Sequence, residues 1–294
     1  MPNNMYNHNY SQLITPQKYN ELMSNQHKYI ATSDKFIFTF VFDLVKSFDS
    51  PNVLEIGPGP MRISYPILQT LWDADVNFNF SILDIDREFI KFNKKIIKNQ
   101  NLPITIIEDD IGSLKVNIKI DIAISQGFHH HISSEYLYNL YSIISEGGFY
   151  IISDEFLPDY ADEQDRKIKA IVWYSHIISN AISGSNFELA REEAKTLLDD
   201  IAEDKQFNNK SEEIIKLVLD NSGGMDLKKA SELYLKINRN IVRNNDPKMF
   251  LSRGDFKISH RVFEKQFQEV GFKFISKKVI GNEKGNLTVW ILQK

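Results

Sequence analysis

Two short apolar runs, and the residues they end in, most constrain what this chain can fold into. Asn52-Val-Leu-Glu-Ile-Gly-Pro-Gly-Pro60 runs into a glycine turn, and Phe80-Ser-Ile-Leu-Asp-Ile-Asp86 ends in acids. A strand that breaks into glycines lets backbone approach a ligand, because no Cβ stands in the way. A neighbouring strand ending in a carboxylate offers an acceptor where a ribose would lie. Together they predict a nucleoside-type pocket at the carboxyl edge of a parallel sheet.

Between residues 51 and 157 short apolar runs alternate with helical patterns. The predicted strands are Asn52–Ile56, Asn79–Ile85, Ile104–Glu108, Ile120–Gln126 and Gly148–Asp154. The predicted helices are Met61–Leu71, Glu88–Asn99 and Ser133–Ser145, the last with Leu137, Leu140, Tyr141 and Ile144 at helical spacing. Strict alternation means βαβ units, whose right-handed crossovers bring every strand's carboxyl end to one edge. Helical patterns alone follow, at Arg166–Ile182, Phe187–Glu203, Ser211–Asp220 and Leu227–Val242. The chain closes with a helix Val262–Val270 and two β runs, Phe272–Ile280 and Asn286–Gln293. Their Gly281–Gly285 connection reads as an antiparallel hairpin.

The expected organisation is an N-terminal helical arm (1–50), a sheet domain (51–157 and 251–294) and a helical insertion (158–250) for substrate cover or oligomer contacts. In the arm, Thr15 and Pro16 start a helix. Phe36, Phe38, Phe40 and Phe42, with Ile37, Val41 and Leu44, pack the next helix deeply. Tyr6, Tyr10, Tyr19 and Tyr29 either anchor the arm or line a pocket lid. In the insertion, Trp173, Tyr174, His176, Phe187, Tyr234 and Phe250 form its own core or an aromatic acceptor pocket.

A dinucleotide site needs G-x-G-x-x-G, the third glycine allowing close packing beside the pyrophosphate. Arg62 stands at that third position, which favours an adenosyl ligand without pyrophosphate. Val53-Leu-Glu-Ile-Gly-Pro-Gly-Pro60 resembles the first motif of class I S-adenosylmethionine-dependent methyltransferases. Leu83-Asp-Ile-Asp86, Glu108-Asp-Asp-Ile111, Asp121-Ile-Ala-Ile-Ser-Gln126 and Ser145-Glu-Gly-Gly-Phe-Tyr-Ile-Ile152 resemble the later motifs in the same order. The resemblance covers residues 50–156 and 255–294. It implies an α/β fold with a Rossmann-like, seven-stranded, mostly parallel sheet and an antiparallel last strand. It also implies S-adenosylmethionine as cofactor. Glu55, Gly57, Pro58 and Gly59 then border the methionine moiety, and Asp84 takes the ribose hydroxyls. Asp110 accepts from the adenine amino group, Ile85 and Ile111 sandwich the ring, and Gln126 meets the cofactor near the sulfonium. Asp86 and Asp109 are adjacent acids ranked second.

Gly127-Phe-His-His-His-Ile132 follows the fourth strand, where the transferable methyl should point. A histidine there is suited to take a proton from the attacking nucleophile. His130 and His131 are the candidates, together with Glu155 at the end of the fifth strand. No metal is expected. In an extended chain only His129 and His131 share a face, and no zinc-type spacing supplies a third ligand.

The chain has no cysteine, which excludes disulfides, thiolate metal sites and a cysteine nucleophile. A net charge of -4 argues against the basic field that nucleic acid requires. No apolar stretch approaches the roughly 18 residues of a membrane span. The polar start, Met1-Pro-Asn-Asn-Met-Tyr-Asn-His, does not read as a secretory signal. The expectation is a cytoplasmic enzyme acting on a small molecule, with a possible homodimer. Methyl transfer is the leading chemistry. The alternative is aminocarboxypropyl transfer or cyclisation, either of which releases methylthioadenosine.

Overall fold

The computed structural model describes residues 15–17, 19–20, 28–115, 117–162, 165–166, 169, 257–282 and 285–294. The insertion helices beyond residue 169, the aromatic residues named there, and Tyr6 and Tyr10 lie outside the described residues.

The apolar runs form seven strands of one sheet. These are β1 (Asn52–Ile56), β2 (Asn79–Asp84), β3 (Ile104–Glu108), β4 (Ile120–Gln126), β5 (Ile144–Phe156), β6 (Lys273–Asn282) and β7 (Gly285–Gln293). Their order is β3-β2-β1-β4-β5-β7-β6. Parallel pairing joins β2 to β1 and β3, and β4 to β1 and β5, while the last strand runs antiparallel. The chain direction reverses its order of travel between β1 and β4, so the two halves part above these strands. This is where ligands bind in open α/β sheets. Central strands covered on both faces read as continuous apolar runs. Val53, Leu54, Ile56, Ile122, Ala123, Ile124, Ile151 and Ile152 accordingly have at most 1% exposure.

The described helices are α1 (Lys28–Ser47), α2 (Ser64–Asp73), α3 (Arg87–Gln100), α4 (Tyr136–Ile143) and α5 (His260–Val270). A separate turn begins at Pro16, where Tyr19 donates its backbone N–H to Thr15. In α1 the buried stripe is Ser33, Ile37, Val41 and Val45, at four-residue spacing. Of the other residues expected to pack deeply, Leu44 and the four phenylalanines are partly buried. Aliphatic side chains at one i, i+4 row fit against the sheet, and the larger rings cover the margins.

Several boundaries differ from the sequence pattern, and those at α2, α4 and β5 have a structural reason. Helix α2 starts at Ser64 instead of Met61, because Gly59 (φ 52°) and Met61 (φ 60°) are left-handed and cannot begin a right-handed helix. Helix α4 is shorter than expected, and β5 starts at Ile144, directly at its end. A register shift opposite Ile120–Ile122 absorbs the Glu146-Gly-Gly148 stretch. A Cβ on Gly148 would meet the Asp121 carbonyl oxygen at 2.9 Å, which explains glycine there. Helix α3 matches its signals: Asp86 caps it by accepting from Glu88 N–H at 3.0 Å, and Asn101 ends it in the left-handed region.

By contact density the chain divides into two compact units. One comprises residues 1–155, 262–281 and 287–294, and the other 156–261 and 282–286. The first contains the candidate site. Among the described residues no helix is long and apolar enough to cross a membrane.

Candidate active site at the carboxyl edge of the sheet

The glycine turn is fastened to the acid strand beside it. Gly57 donates its N–H to the Leu83 carbonyl at 2.9 Å, one residue before Asp84 ends β2. Gly57 and Gly59 both adopt positive φ, at 61° and 52°. Asn93, buried on α3, donates to the Gly59 carbonyl at 2.8 Å and holds the far side of the turn. The space a Cβ would take at Gly57 is filled by the Phe128 ring, 2.6 Å from that position. At Gly59 the nearest atom would be in the Tyr19 ring, at 3.5 Å. Tyr19 also packs edge-on against Phe89, with centroids 5.7 Å apart. One arm tyrosine therefore does reach the glycine turn.

Asp84 accepts from the Asp86 backbone N–H at 2.9 Å, and burial raises its pKa to about 7. Asp86 is engaged as the α3 cap, which separates the two acids by role. Ile85 between them is 37% exposed, an apolar side chain facing outward at the strand end. Ile111 is buried, and Asp110 is half-buried, accepting from Gly112 N–H at 2.8 Å. Asp109 is exposed and accepts from the Asp110 N–H.

Glu55 lies on β1 with its side chain enclosed, and burial raises its pKa to about 8 against the attraction of Arg62. Its Oε2 has no hydrogen-bond partner among the described residues. Beside it three side chains close a ring. Arg62 donates one nitrogen to Asp34 of α1 and the other to Gln126 Oε1, and Gln126 Nε2 donates to Asp34 at 2.7 Å. Ser33, one residue earlier, bonds Ser153 of β5 at 2.7 Å.

After β4, residues His129–His131 make a single 3₁₀ turn. Asp154 organises it. Its Oδ2 accepts from Phe128 N–H at 3.1 Å and His129 N–H at 2.6 Å. Its Oδ1 accepts from Glu155 N–H at 2.7 Å and pairs with His130 Nδ1. Burial pushes Asp154 upward, but His130 and these donors outweigh it and hold the carboxyl at about 2. The His131 ring lies tilted over His130, centroids 3.9 Å apart. Glu155 is half-buried. His129 belongs to the interior. Burial lowers its pKa to about 4, and its Nδ1 meets Tyr136 Oη at 3.1 Å. The bonds continue from Tyr136 to Tyr150 (2.9 Å) and from Tyr150 to Ser125 (2.7 Å). No group of three metal-ligating side chains occurs among the described residues.

Solved structures share this architecture. The chain superposes on magnesium protoporphyrin IX methyltransferase of Synechocystis PCC 6803 with bound S-adenosylmethionine, at TM-score 0.51 and 10% identity, covering 97% of this chain and 93% of that one. It superposes on the N-methyltransferase NodS of Bradyrhizobium japonicum in complex with S-adenosyl-L-homocysteine, at TM-score 0.52 and 8% identity, covering 99% of each. A methyltransferase-like protein of Bacillus halodurans gives TM-score 0.50 and 8% identity, over 87% of this chain and 98% of that one.

The fold is that of the S-adenosylmethionine-dependent methyltransferases. No protein-family model matches the sequence, and no curated protein matches it. Within this methyltransferase fold, the residues that sequence reasoning missed are Arg62, Asp34 and Asn93, and of the two acids ending the fifth strand it is Asp154, not the preferred Glu155, that pairs with His130. Arg62 was visible only as the residue that breaks a dinucleotide pattern. Asn93 sits at a buried position of an otherwise amphipathic helix, a polar residue among apolar ones, which was the available signal.

Proposed function

We propose that this chain is an S-adenosylmethionine-dependent methyltransferase acting on a small molecule. The observation that carries the reading is the hydrogen bond from Gly57 N–H to Leu83, which sets the glycine turn beside the Asp84 carboxylate. The residues present fit the cofactor. Asp84 offers a half-buried acceptor for ribose hydroxyls, Ile85 an apolar face for adenine, and Ile111 and Asp110 the opposite side of that ring. The Gly57–Gly59 turn, with Pro58 and Glu55 behind it, provides the close backbone approach. When bound, the cofactor supplies an activated methyl group, so the protein's task is positioning, water exclusion and proton removal.

His130 is the proton acceptor in this reading. Asp154 binds Nδ1 and selects the tautomer in which Nε2 bears the lone pair, as in other carboxylate–imidazole pairs. The ionised Asp154 then stabilises the imidazolium once the nucleophile has given up its proton. His131 stacks on that ring, and Glu155 lies beside the carboxylate as a further charge at the strand end. A net charge of -4 favours a small acceptor over nucleic acid.

Calorimetry with S-adenosylmethionine and S-adenosylhomocysteine tests the cofactor, and mass spectrometry of the products tests the chemistry. Binding of both, with S-adenosylhomocysteine formed when acceptors are supplied, supports the reading. Methylthioadenosine released from the cofactor alone would move the chain to another sulfonium chemistry. Uptake of NAD or FAD with no affinity for either sulfur compound would overturn the cofactor assignment.

A further inference from the structure

We infer that Phe128 is a positioning residue: its ring ties the His129–His131 turn to the glycine turn and so fixes where His130 stands. The inference rests on the reading of His130 as proton acceptor and adds the side chain that aligns it with the cofactor turn.

The side-chain space that Gly57 lacks is used by this chain's own ring. A Cβ there would meet Phe128 Cδ2 at 2.6 Å, Cε2 at 3.3 Å and Cγ at 3.5 Å. One ring edge therefore rests on the backbone of the turn, an approach that the missing Cβ permits. Gly59, two residues on, faces Tyr19 and Phe89 instead. Of the two glycines it is Gly57 that touches the segment carrying the base.

Phe128 is held from the base side as well. Its N–H donates to Asp154 Oδ2 at 3.1 Å, and the other oxygen of that carboxylate pairs with His130 Nδ1. Its carbonyl accepts from His131 N–H at 3.1 Å, closing the turn in which His130 sits. Its ring also packs edge-on against Tyr136, centroids 5.5 Å apart, and Tyr136 Oη meets His129 Nδ1. One residue thus connects the glycine turn to the carboxylate that orients the imidazole. Close-packed interiors transmit small displacements, so a shift of the glycine turn under a ligand reaches His130 through this ring. Alignment at this scale bears on the reaction, since a misplacement of about 1 Å can cost on the order of 100-fold in rate. The sheet offers a second route between the two turns, because β1 and β4 are adjacent, with Ile56 opposite Ser125. The test has to separate that route from the ring.

The experiment reads His130 itself. NMR with isotope-labelled histidine follows the ring signals of the seven histidines, and His130→Gln identifies that of His130. Spectra of the full chain are taken with and without saturating S-adenosylhomocysteine, whose affinity is measured by calorimetry. In the unmodified protein the ligand should displace the His130 signal. Phe128→Leu should still bind the ligand but lose that displacement, and Phe128→Tyr, which keeps the ring edge, should restore it. A full displacement in Phe128→Leu would overturn the inference, because the sheet would then be the route. So would an unmoved His130 signal in the unmodified chain with ligand bound. A second measurement needs no ligand. Gly57→Ala drives a carbon into the ring and should move the His130 signal by itself, whereas Gly59→Ala should not. In Gly57→Ala/Phe128→Leu the signal should return to its position in Phe128→Leu alone. A His130 signal indifferent to Gly57→Ala would overturn the inference even if Phe128→Leu fails to fold. If the unmodified chain does not bind S-adenosylhomocysteine, the cofactor reading falls, and this second measurement still decides whether Phe128 couples the two turns.

Discussion

Asp154 pairs with His130 Nδ1 while its two oxygens also accept from three backbone N–H groups, those of Phe128, His129 and Glu155. One buried carboxylate therefore shapes the whole turn after β4. Its removal leaves three donors and an imidazole without their acceptor. Asp154→Ala should cost about 3–5 kcal/mol, as for breaking a buried pair from one side. Because Asp154 is held below its unfolded value of 3.8, its contribution is present above that value and is lost as pH falls through about 2. Urea titrations at acid pH should show a shallower decline in the variant than in the unmodified chain.

Glu55 has the opposite sign. Burial raises it from 4.5 to about 8, so its stabilising effect is full below 4.5 and disappears as pH rises through about 8. Glu55→Gln removes the ionisation. At a pH of about 9 the variant should be more stable by on the order of 2–4 kcal/mol, and at a pH of about 4 nearly unchanged. Denaturation midpoints at the two pH values give the comparison, and an equal effect at both would contradict the buried-acid assignment.

Asp84 titrates at about 7, within the working range of most enzymes. The ionised form is the better acceptor for ribose hydroxyls. Affinity for S-adenosylhomocysteine should therefore rise as pH climbs from about 6 to about 8. Asp84→Ala should abolish that dependence and weaken binding by about 1.5–3 kcal/mol. A pH profile unchanged by the substitution would remove Asp84 from the ribose role.

Much of this architecture was legible because it is local. Glycines after β1, acids after β2 and β3, and period-matched apolar runs each lie within a few residues, and the parallel βαβ units followed from alternation. The ring of Arg62, Asp34 and Gln126 was not legible, since its members are 28 and 64 residues apart in sequence. No periodicity links an arginine in a turn to an aspartate on a distant helix. The choice between Asp154 and Glu155 was also hidden. Adjacent strand residues face opposite sides, and only the position of the following turn decides which acid meets the histidine. Helix α1 shows the same limit in part: Ile37 and Val41 are buried as expected, but Val45 completes their row while Leu44 and the phenylalanines are only partly buried.

The interior chain Ser125–Tyr150–Tyr136–His129 carries no exposed end among these four residues, all of them buried. Burial raises both tyrosines and lowers His129, so all remain neutral across ordinary pH. Tyr136→Phe removes the hydroxyl that Tyr150 and His129 share. The cost should be about 1–3 kcal/mol, the penalty for buried polar groups left unpaired. Thermal unfolding checks it, and no change in stability would mean that the remaining groups find other partners.

Gly57 and Gly59 separate two reasons for glycine. Both have left-handed φ, so alanine at either should cost about 1–2 kcal/mol in backbone strain. At Gly59 little else stands in the way, with the nearest atom 3.5 Å from the added carbon. At Gly57 the added carbon would fall 2.6 Å from the Phe128 ring, so the ring must move as well. Gly57→Ala should therefore destabilise more than Gly59→Ala. Trimming the ring in Gly57→Ala/Phe128→Leu should recover part of the difference, a non-additivity expected only of side chains in contact. If the double variant instead shows the simple sum of the two single losses, the turn is strained by its backbone alone, and Phe128 does not set the room above it.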